Sequence, residues 1–170
     1  MDKYHQKFQE YQAYLKQQIA CRFPYYLSQH VENVANLALK NMQTRDGFLS
    51  DEYHIWTIGL LHDILEDTDC VEDDLQTIVE DAFEKYHAGG VYTNEVISCV
   101  LTLTHDKEEK TYEQYIMDIV KSYKEDDTYC GIYCFLVKKA DFADHFQRWQ
   151  TLTPQLIEKY KPFIQYFLQE

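Results

Sequence analysis

The chain is poor in the residues that interrupt regular structure. Its 170 residues include only five glycines and three prolines, which leaves few turns and no flexible linker. A chain of this length is typical of one ordinary domain with a sizeable core. Because no repeat or low-complexity tract is visible, we expect a single domain over residues 1–170.

Basic side chains are also scarce. The chain has 16 Lys and Arg against 29 Asp and Glu, and its net charge is −13. A nucleic-acid partner is not expected, since binding a phosphate backbone needs clustered positive charge. A small phosphorylated ligand is compatible with this charge, because a bound divalent cation reverses the local field. The sequence does not define an oligomeric state.

Long apolar runs and paired cysteines are lacking as well. No run reaches the length of a membrane span, and the polar N-terminus does not resemble a signal segment. The five cysteines are odd in number and include no zinc-type CxxC pair, which argues against a disulfide framework. Cys130 and Cys134 are one helical turn apart, and we interpret them as small core residues rather than as a metal or redox pair. These features predict a protein of a reducing cytoplasm with no membrane partner.

Apolar residues recur at intervals of three and four along most of the chain, which predicts helices throughout. The β-branched segment 94–104 resembles a strand but has no pairing partner, so we interpret it as a buried helix. Residues 44–49 are expected to form a loop. The predicted fold class is all-α, with seven or eight helices at about 2–21, 28–42, 51–65, 72–86, 94–104, 111–123, 128–149 and from Thr153-Pro154 onward.

The most informative segment is Leu60-Leu61-His62-Asp63-Ile64-Leu65-Glu66-Asp67-Thr68. A His-Asp pair stands there in an apolar run, where ionisable side chains are rare unless they are paired or bind a metal. His30 lies upstream in another helical pattern, and Asp141 lies downstream in a third. Two imidazoles and two carboxylates suit a divalent first-row ion. We therefore predict that His30, His62, Asp63 and Asp141 are metal ligands; the alternative is four separate surface or capping groups.

The order His…His-Asp…Asp resembles the HD superfamily of metal-dependent phosphohydrolases. The run Leu-Leu-His-Asp-x-x-Glu-Asp-Thr is most similar to the hydrolase domain of RelA/SpoT-type enzymes, and the resemblance extends from about Ile19 to His145. It implies a compact helical HD-domain bundle that removes the 3′-pyrophosphate of guanosine tetra- and pentaphosphate. It also implies manganese, although iron, cobalt, nickel and zinc suit the same donors. Such an ion would polarise a phosphoryl oxygen and lower the pKa of a bound water.

The same resemblance suggests roles for residues around the expected ligands. It implies that Glu66 and Asp67 orient the attacking water or accept its proton; the alternative is a solvated acidic turn. Lys138 matches the lysine of the family's Lys-x-Ala-Asp signature and is expected to steady an anionic leaving group. Arg22 and Arg45 are candidate substrate contacts, with ordinary surface charge as the alternative.

The chain departs from the RelA/SpoT pattern beside Asp141. The family typically continues Ala-Asp-Arg-x-x-Asn, whereas this chain has Phe142 in place of the arginine and His145 in place of the asparagine. His145 is therefore a candidate substrate contact. The departure motivates a second hypothesis, an HD nucleotidase or cyclic-nucleotide phosphodiesterase. A third hypothesis is a protein that binds a nucleotide without turning it over.

The remaining histidines have less sequence context. His105-Asp106 is a second His-Asp pair, but charged residues follow it. We interpret it as a helix end and loop, with His105 able to border a pocket. The other three have no partner visible in the sequence and are expected at the surface: His5, His54 and His87.

Overall fold

The computed structural model describes residues 3–46, 52–86, 93–125 and 128–167, apart from the side chains of residues 44–46 and 151. Within these ranges the chain is all-helical, which confirms the predicted fold class and number of helices. Eight helices span seven residues or more, and α4 and α10 are single turns. The bounds are α1 Lys3–Arg22, α2 Gln29–Asp46, α3 Glu52–Leu61, α4 Ile64–Asp67, α5 Glu72–Tyr86, α6 Thr93–Leu103, α7 Tyr112–Glu125, α8 Tyr129–Gln147, α9 Pro154–Tyr160 and α10 Ile164–Phe167.

Side-chain caps explain several helix starts. The Gln114 N–H donates to Thr111 Oγ1 at 3.2 Å, and the Thr111 N–H donates to Gln114 Oε1 at 3.0 Å. This reciprocal pair is a capping box at the start of α7. Thr128 and Thr153 cap α8 and α9 through their side chains, with Pro154 at the beginning of α9 as expected.

The β-branched segment is a buried helix, as predicted. It forms α6, which packs against α3, α5 and α8. Val96, Val100 and Leu103 are fully buried in these contacts. Packing on one side of the segment buries apolar residues that are spaced as in a helix. This tertiary packing outweighs the strand propensity of its β-branched residues.

Helix α8 lies in the interior of the bundle and packs against α2, α3, α6, α7 and α10. Its buried residues include three whose side chains normally carry a charge, Lys138, Asp141 and Asp144. Burying a charge is costly unless it is paired or binds a metal. The middle and the C-terminal end of α8 therefore carry buried charged side chains that need polar partners or an ion.

Helices α2 and α3 cross in close contact because residue 59 is a glycine. A Cβ atom at Gly59 would lie 2.7 Å from the Cα of Ala35. Beside this crossing, Trp56 Nε1 donates to Asn36 Oδ1 at 3.0 Å. The crossing brings the beginning of α2 next to the end of α3, so that the centroids of the His30 and His62 rings are 5.5 Å apart.

Two predicted helix ends are wrong. Residues 44–46 belong to α2 rather than to a loop, because the helix breaker Gly47 comes only after them; residues 47–49 of the predicted loop lie outside the described residues. Helix α3 ends at Leu61 and not near residue 65. The N–H groups of Glu66 and Asp67 both donate to Asp63 O, at 3.0 and 2.9 Å, so the helix restarts as α4 after a turn.

One surface prediction is also wrong. His54 is 3% exposed and packs edge-on against the Phe83 ring, with centroids 5.4 Å apart. All ten residues of α3 are buried, and the helix packs against α2, α6 and α8, so its burial depends on neighbours that a short sequence segment does not reveal. His5 is exposed, as predicted, and His87 lies outside the described residues.

The cysteines are free thiols, in agreement with the expectation that the chain has no disulfide framework. Cys99 and Cys134 are fully buried, and Cys130 is half-buried. None of the helices within the described ranges combines the length and the hydrophobicity that crossing a bilayer requires.

We expect Gly59→Ala to destabilise the fold by roughly 1–3 kcal/mol, because the added Cβ meets backbone atoms that cannot rotate away. Urea unfolding followed by circular dichroism measures this change. Gln17→Ala, on the exposed side of α1, is the matched control, and its free energy of unfolding should change by no more than about 0.5 kcal/mol. A Gly59→Ala variant as stable as the control would show that the crossing tolerates a side chain.

Candidate metal centre

The His62-Asp63 turn lies in the interior at the end of α3. The His62 side chain is fully buried, and its Nδ1–H donates to Gly59 O at 2.9 Å. A carbonyl only accepts, so Nδ1 carries a proton, and in the neutral imidazole the lone pair of Nε2 is available to bind an ion. The Tyr26 hydroxyl donates to Leu60 O at 2.7 Å and occupies another carbonyl at the end of α3.

A second imidazole is oriented in the same way. His30 lies in the first turn of α2, and its Nδ1–H donates to Asp144 Oδ2 at 2.7 Å. Asn33 Nδ2 donates to Asp144 Oδ1 at 2.8 Å, and the Arg148 guanidinium donates to Asp144 Oδ2. Buried Asp144 is thus a fixed acceptor that directs His30 Nε2 toward the His62-Asp63 turn. Such carboxylate–imidazole pairs commonly orient histidines that bind metals.

The structure brings all four predicted ligands together. His62 Nε2 is 3.0 Å from Asp63 Oδ2. His30 Nε2 is 3.8 Å from Asp63 Oδ2 and 3.4 Å from Asp141 Oδ1. Helices α2 and α8 and the turn after α3 therefore direct two nitrogens and two carboxylates toward the same part of the interior, with His30 next to both carboxylates.

Two buried atoms of this cluster lack a hydrogen bond, which tests whether the residues fit an ion. They are His62 Nε2 and Asp141 Oδ1, and the short distances to their neighbours do not have hydrogen-bond geometry. Ligand bonds of about 2.1 Å at right angles would place neighbouring donor atoms roughly 3 Å apart. The spacing of 3.0–3.8 Å is close to this value. The donor set and its orphaned atoms therefore fit a divalent cation.

His145 lies beside the cluster, one helical turn after Asp141. Its Nε2 is 3.1 Å from Asp141 Oδ1, and its ring centroid is 4.7 Å from that of His30. His30, Asp141 and His145 form a second group of donor atoms within 4.8 Å of one another. The residue that we expected to contact substrate is thus positioned to contact an ion as well.

Lys138 is 5% exposed, and its Nζ donates to Asp141 Oδ2 at 3.0 Å. Burial alone would lower the pKa of Lys138, but Tyr115 and Asp141 raise it well above its usual value. Burial likewise acts to raise the pKa of Asp141, but Lys138 and His145 hold it well below the usual range. The pair therefore keeps an ionised carboxylate in the interior.

A small cavity of about 110 Å³ opens beside the cluster. Its lining includes Glu66, Asp67, Lys138 and Lys159. Glu66 Oε1 accepts a hydrogen bond from the His105 N–H at 2.9 Å, and His105 itself borders the cavity, as predicted. Partial desolvation and the charges of Asp63 and Glu66 raise the pKa of Asp67. Both carboxylates expected to assist the reaction thus lie next to the predicted ligands.

A larger cavity of about 340 Å³ lies on the other side of Asp67, which lines both cavities. Its walls include Arg22, Phe23 and Tyr25. Arg22 is therefore placed at this cavity rather than at the ligand cluster. The backbone of Arg45 lies near the end of α2, and its side chain lies outside the described residues.

Several residues around the cluster were not predicted. Asp144 and Arg148 lie three and seven positions after Asp141, a helical spacing that would have indicated a polar face. The Gly59 carbonyl and Lys159 have no comparable signal in the sequence. Phe142 is buried among Tyr160 and other aromatic rings, so the residue that replaces the family's arginine is part of the core.

Comparison of the chain with protein-family models, with curated proteins and with solved structures gives no match. Membership of the HD superfamily therefore stays a prediction. Function has to be inferred from the donor atoms, the two cavities and their charges.

We expect Asp63→Ala to abolish high-affinity Mn²⁺ binding, because it removes a carboxylate between both imidazoles. The matched control is Asp106→Ala, which alters the exposed aspartate of the other His-Asp pair. Isothermal titration of metal-free protein with MnCl₂ should give the control the wild-type affinity. Equal affinity in the Asp63→Ala variant would show that the cluster does not hold the ion.

Proposed function

We propose that the protein is a metal-dependent phosphohydrolase of the HD type that acts on a nucleotide. The observation that carries this proposal is the convergence of His30 Nε2, His62 Nε2, Asp63 and Asp141, with both imidazoles fixed through Nδ1. Manganese is the first candidate ion, and iron, cobalt, nickel or zinc suit the same donors. When bound, the ion polarises a phosphoryl oxygen and makes a coordinated water more acidic.

The chain's own residues along the small cavity suit a phosphoryl group. Lys138 and Lys159 provide cationic groups at its wall, where anionic oxygens need compensation. A raised pKa makes Asp67 a better proton acceptor than an ordinary aspartate. Glu66 is held by the His105 N–H and can orient a water with its other carboxylate oxygen. These roles agree with those that the family resemblance implies.

Cavity size supports a substrate with two parts. Pockets that enclose a whole small molecule usually measure about 300–1,000 Å³, whereas the cavity beside the cluster measures about 110 Å³. The larger cavity has room for a nucleoside, and Arg22, Phe23 and Tyr25 are among the residues that line it. Because Asp67 lines both, one ligand can place a phosphate in the first and a nucleoside in the second. The first candidate is the 3′-pyrophosphate of guanosine tetra- or pentaphosphate.

A second candidate function keeps the same centre with another nucleotide. His145 and Phe142 occupy the positions of the family's asparagine and arginine, and neither reproduces their hydrogen bonding. This favours an HD nucleotidase or a cyclic-nucleotide phosphodiesterase. The third hypothesis, binding without turnover, has less support because Glu66 and Asp67 stand beside the ligand cluster.

We expect the Mn²⁺-loaded protein to hydrolyse at least one nucleotide and the Asp63→Ala variant to hydrolyse none. The assay incubates both proteins, with Asp106→Ala as the matched control, with guanosine tetraphosphate, nucleoside mono- and triphosphates and cyclic nucleotides at equal concentration. Chromatography identifies the products. Pyrophosphate and guanosine diphosphate would support the first candidate.

Turnover of another nucleotide alone would favour the second candidate. Tight binding without product over several hours, with Mn²⁺ present, would contradict the enzymatic proposal and favour the third hypothesis. Activity that persists in Asp63→Ala without bound metal would contradict the mechanism.

We expect Arg22→Glu to raise KM for the preferred nucleotide by about tenfold while kcat changes less, because the lost interaction binds substrate and transition state equally. Lys7→Glu is the matched control, since it makes the same change of charge on the same helix, roughly 22 Å away along the axis. Steady-state kinetics measure both constants. Equal KM values for the two variants would place the nucleoside elsewhere.

A further inference from the structure

A second cluster of potential ligands lies outside the His/Asp centre. Cys130 and Cys134 occupy successive turns of α8, and Cys99 of α6 faces them. The three sulfur atoms lie within 4.8 Å of one another. Sequence spacing indicates only the pair on α8, whereas the packing of α6 on α8 supplies the third thiol.

The spacing of the sulfur atoms suits a common ion. Cys130 Sγ and Cys134 Sγ are 3.8 Å apart. Zinc–sulfur bonds of about 2.3 Å with tetrahedral angles place two sulfurs roughly 3.8 Å apart. The third sulfur lies within 4.8 Å of both, so it is at most about 1 Å farther away than this geometry requires. Thiolates select soft ions, in contrast to the nitrogen and oxygen donors of the other cluster.

The cluster is closed on one side and accessible on the other. Cys99 and Cys134 are 0% and 1% exposed, whereas Cys130 is half-buried in the first turn of α8. Ser98 and Thr102 interact with the Cys130 thiol, and both lie on the exposed side of α6. An ion can therefore enter past Cys130, and a hydroxyl group or a water can serve as the fourth ligand.

We propose that Cys99, Cys130 and Cys134 form a second metal site, which binds a thiophilic d¹⁰ cation such as Zn²⁺. None of its ligands belongs to the His/Asp centre, so the site does not depend on the proposed hydrolase function. The bound form contains three metal–thiolate bonds, and each thiol that is protonated beforehand releases its proton to the solvent. The ion links α6 to α8, two helices that no disulfide connects.

Cd²⁺ is a suitable probe, because its bonds to thiolates produce a charge-transfer absorption that nitrogen and oxygen ligands do not. The full-length metal-free protein is titrated with CdCl₂ in a phosphine reductant. We expect the absorption to saturate at one equivalent with the intensity of three thiolates, and Zn²⁺ to compete for the site. Cys130→Ser should remove about a third of the intensity and weaken binding at least tenfold.

Cys21→Ser is the matched control, since Cys21 is an exposed cysteine outside the cluster; its titration should equal that of the wild type. Asp63→Ala should also leave the absorption unchanged, which separates this site from the His/Asp centre. Circular dichroism and urea unfolding check that Cys130→Ser, at a half-buried position, keeps its fold. Cd²⁺ binding without sulfur absorption, or an unchanged absorption in Cys130→Ser, would overturn the proposal and leave three packed thiols.

Discussion

The site depends on one electrostatic constraint: the side chains gathered around α8 include more carboxylates than cations. Asp63, Asp141 and Asp144 bring three carboxylates to one region, and the cations of Lys138 and Arg148 pair with two of them. As metal ligands, the imidazoles of the cluster would be neutral and would add no charge. The proposed divalent cation would more than offset the remaining carboxylate, and it would bind the orphaned atoms His62 Nε2 and Asp141 Oδ1.

Two features of the backbone make the convergence possible. In a continuous helix, neighbouring side chains point about 100° apart, so adjacent residues do not reach one ion easily. Helix α3 ends at Leu61, and the turn that follows lets His62 and Asp63 face the same point. The close crossing at Gly59 then brings His30 of α2 to that point. The geometry of the site therefore depends on the end of α3 and on the absence of a side chain at Gly59, as well as on the ligands themselves.

Helical spacing predicted the bundle, because it follows from a local rule. The grouping of His30, His62-Asp63 and Asp141 came instead from the order of a known motif. What escaped prediction depends on tertiary packing. The partner of His30, Asp144, is 114 residues away in the sequence, and the burial of His54 reflects neighbours from other helices. The position of Cys99 also could not be predicted from the sequence, since only the packing of α6 on α8 brings it to Cys134.

Helix α8 carries donors for both proposed sites on one stripe, formed by Cys130, Cys134, Lys138, Asp141 and His145 at steps of three and four. Cys134 and Asp141 are separated by roughly 10 Å along the axis. Soft sulfur at one end and hard oxygen and nitrogen at the other favour different ions, so the two sites need not compete. Lys138 lies between them and interacts electrostatically with both Cys134 and Asp141. At this separation a pair of unit charges interacts by roughly 1–2 kcal/mol inside a protein. A change of charge at one site would therefore change the free energy of ion binding at the other.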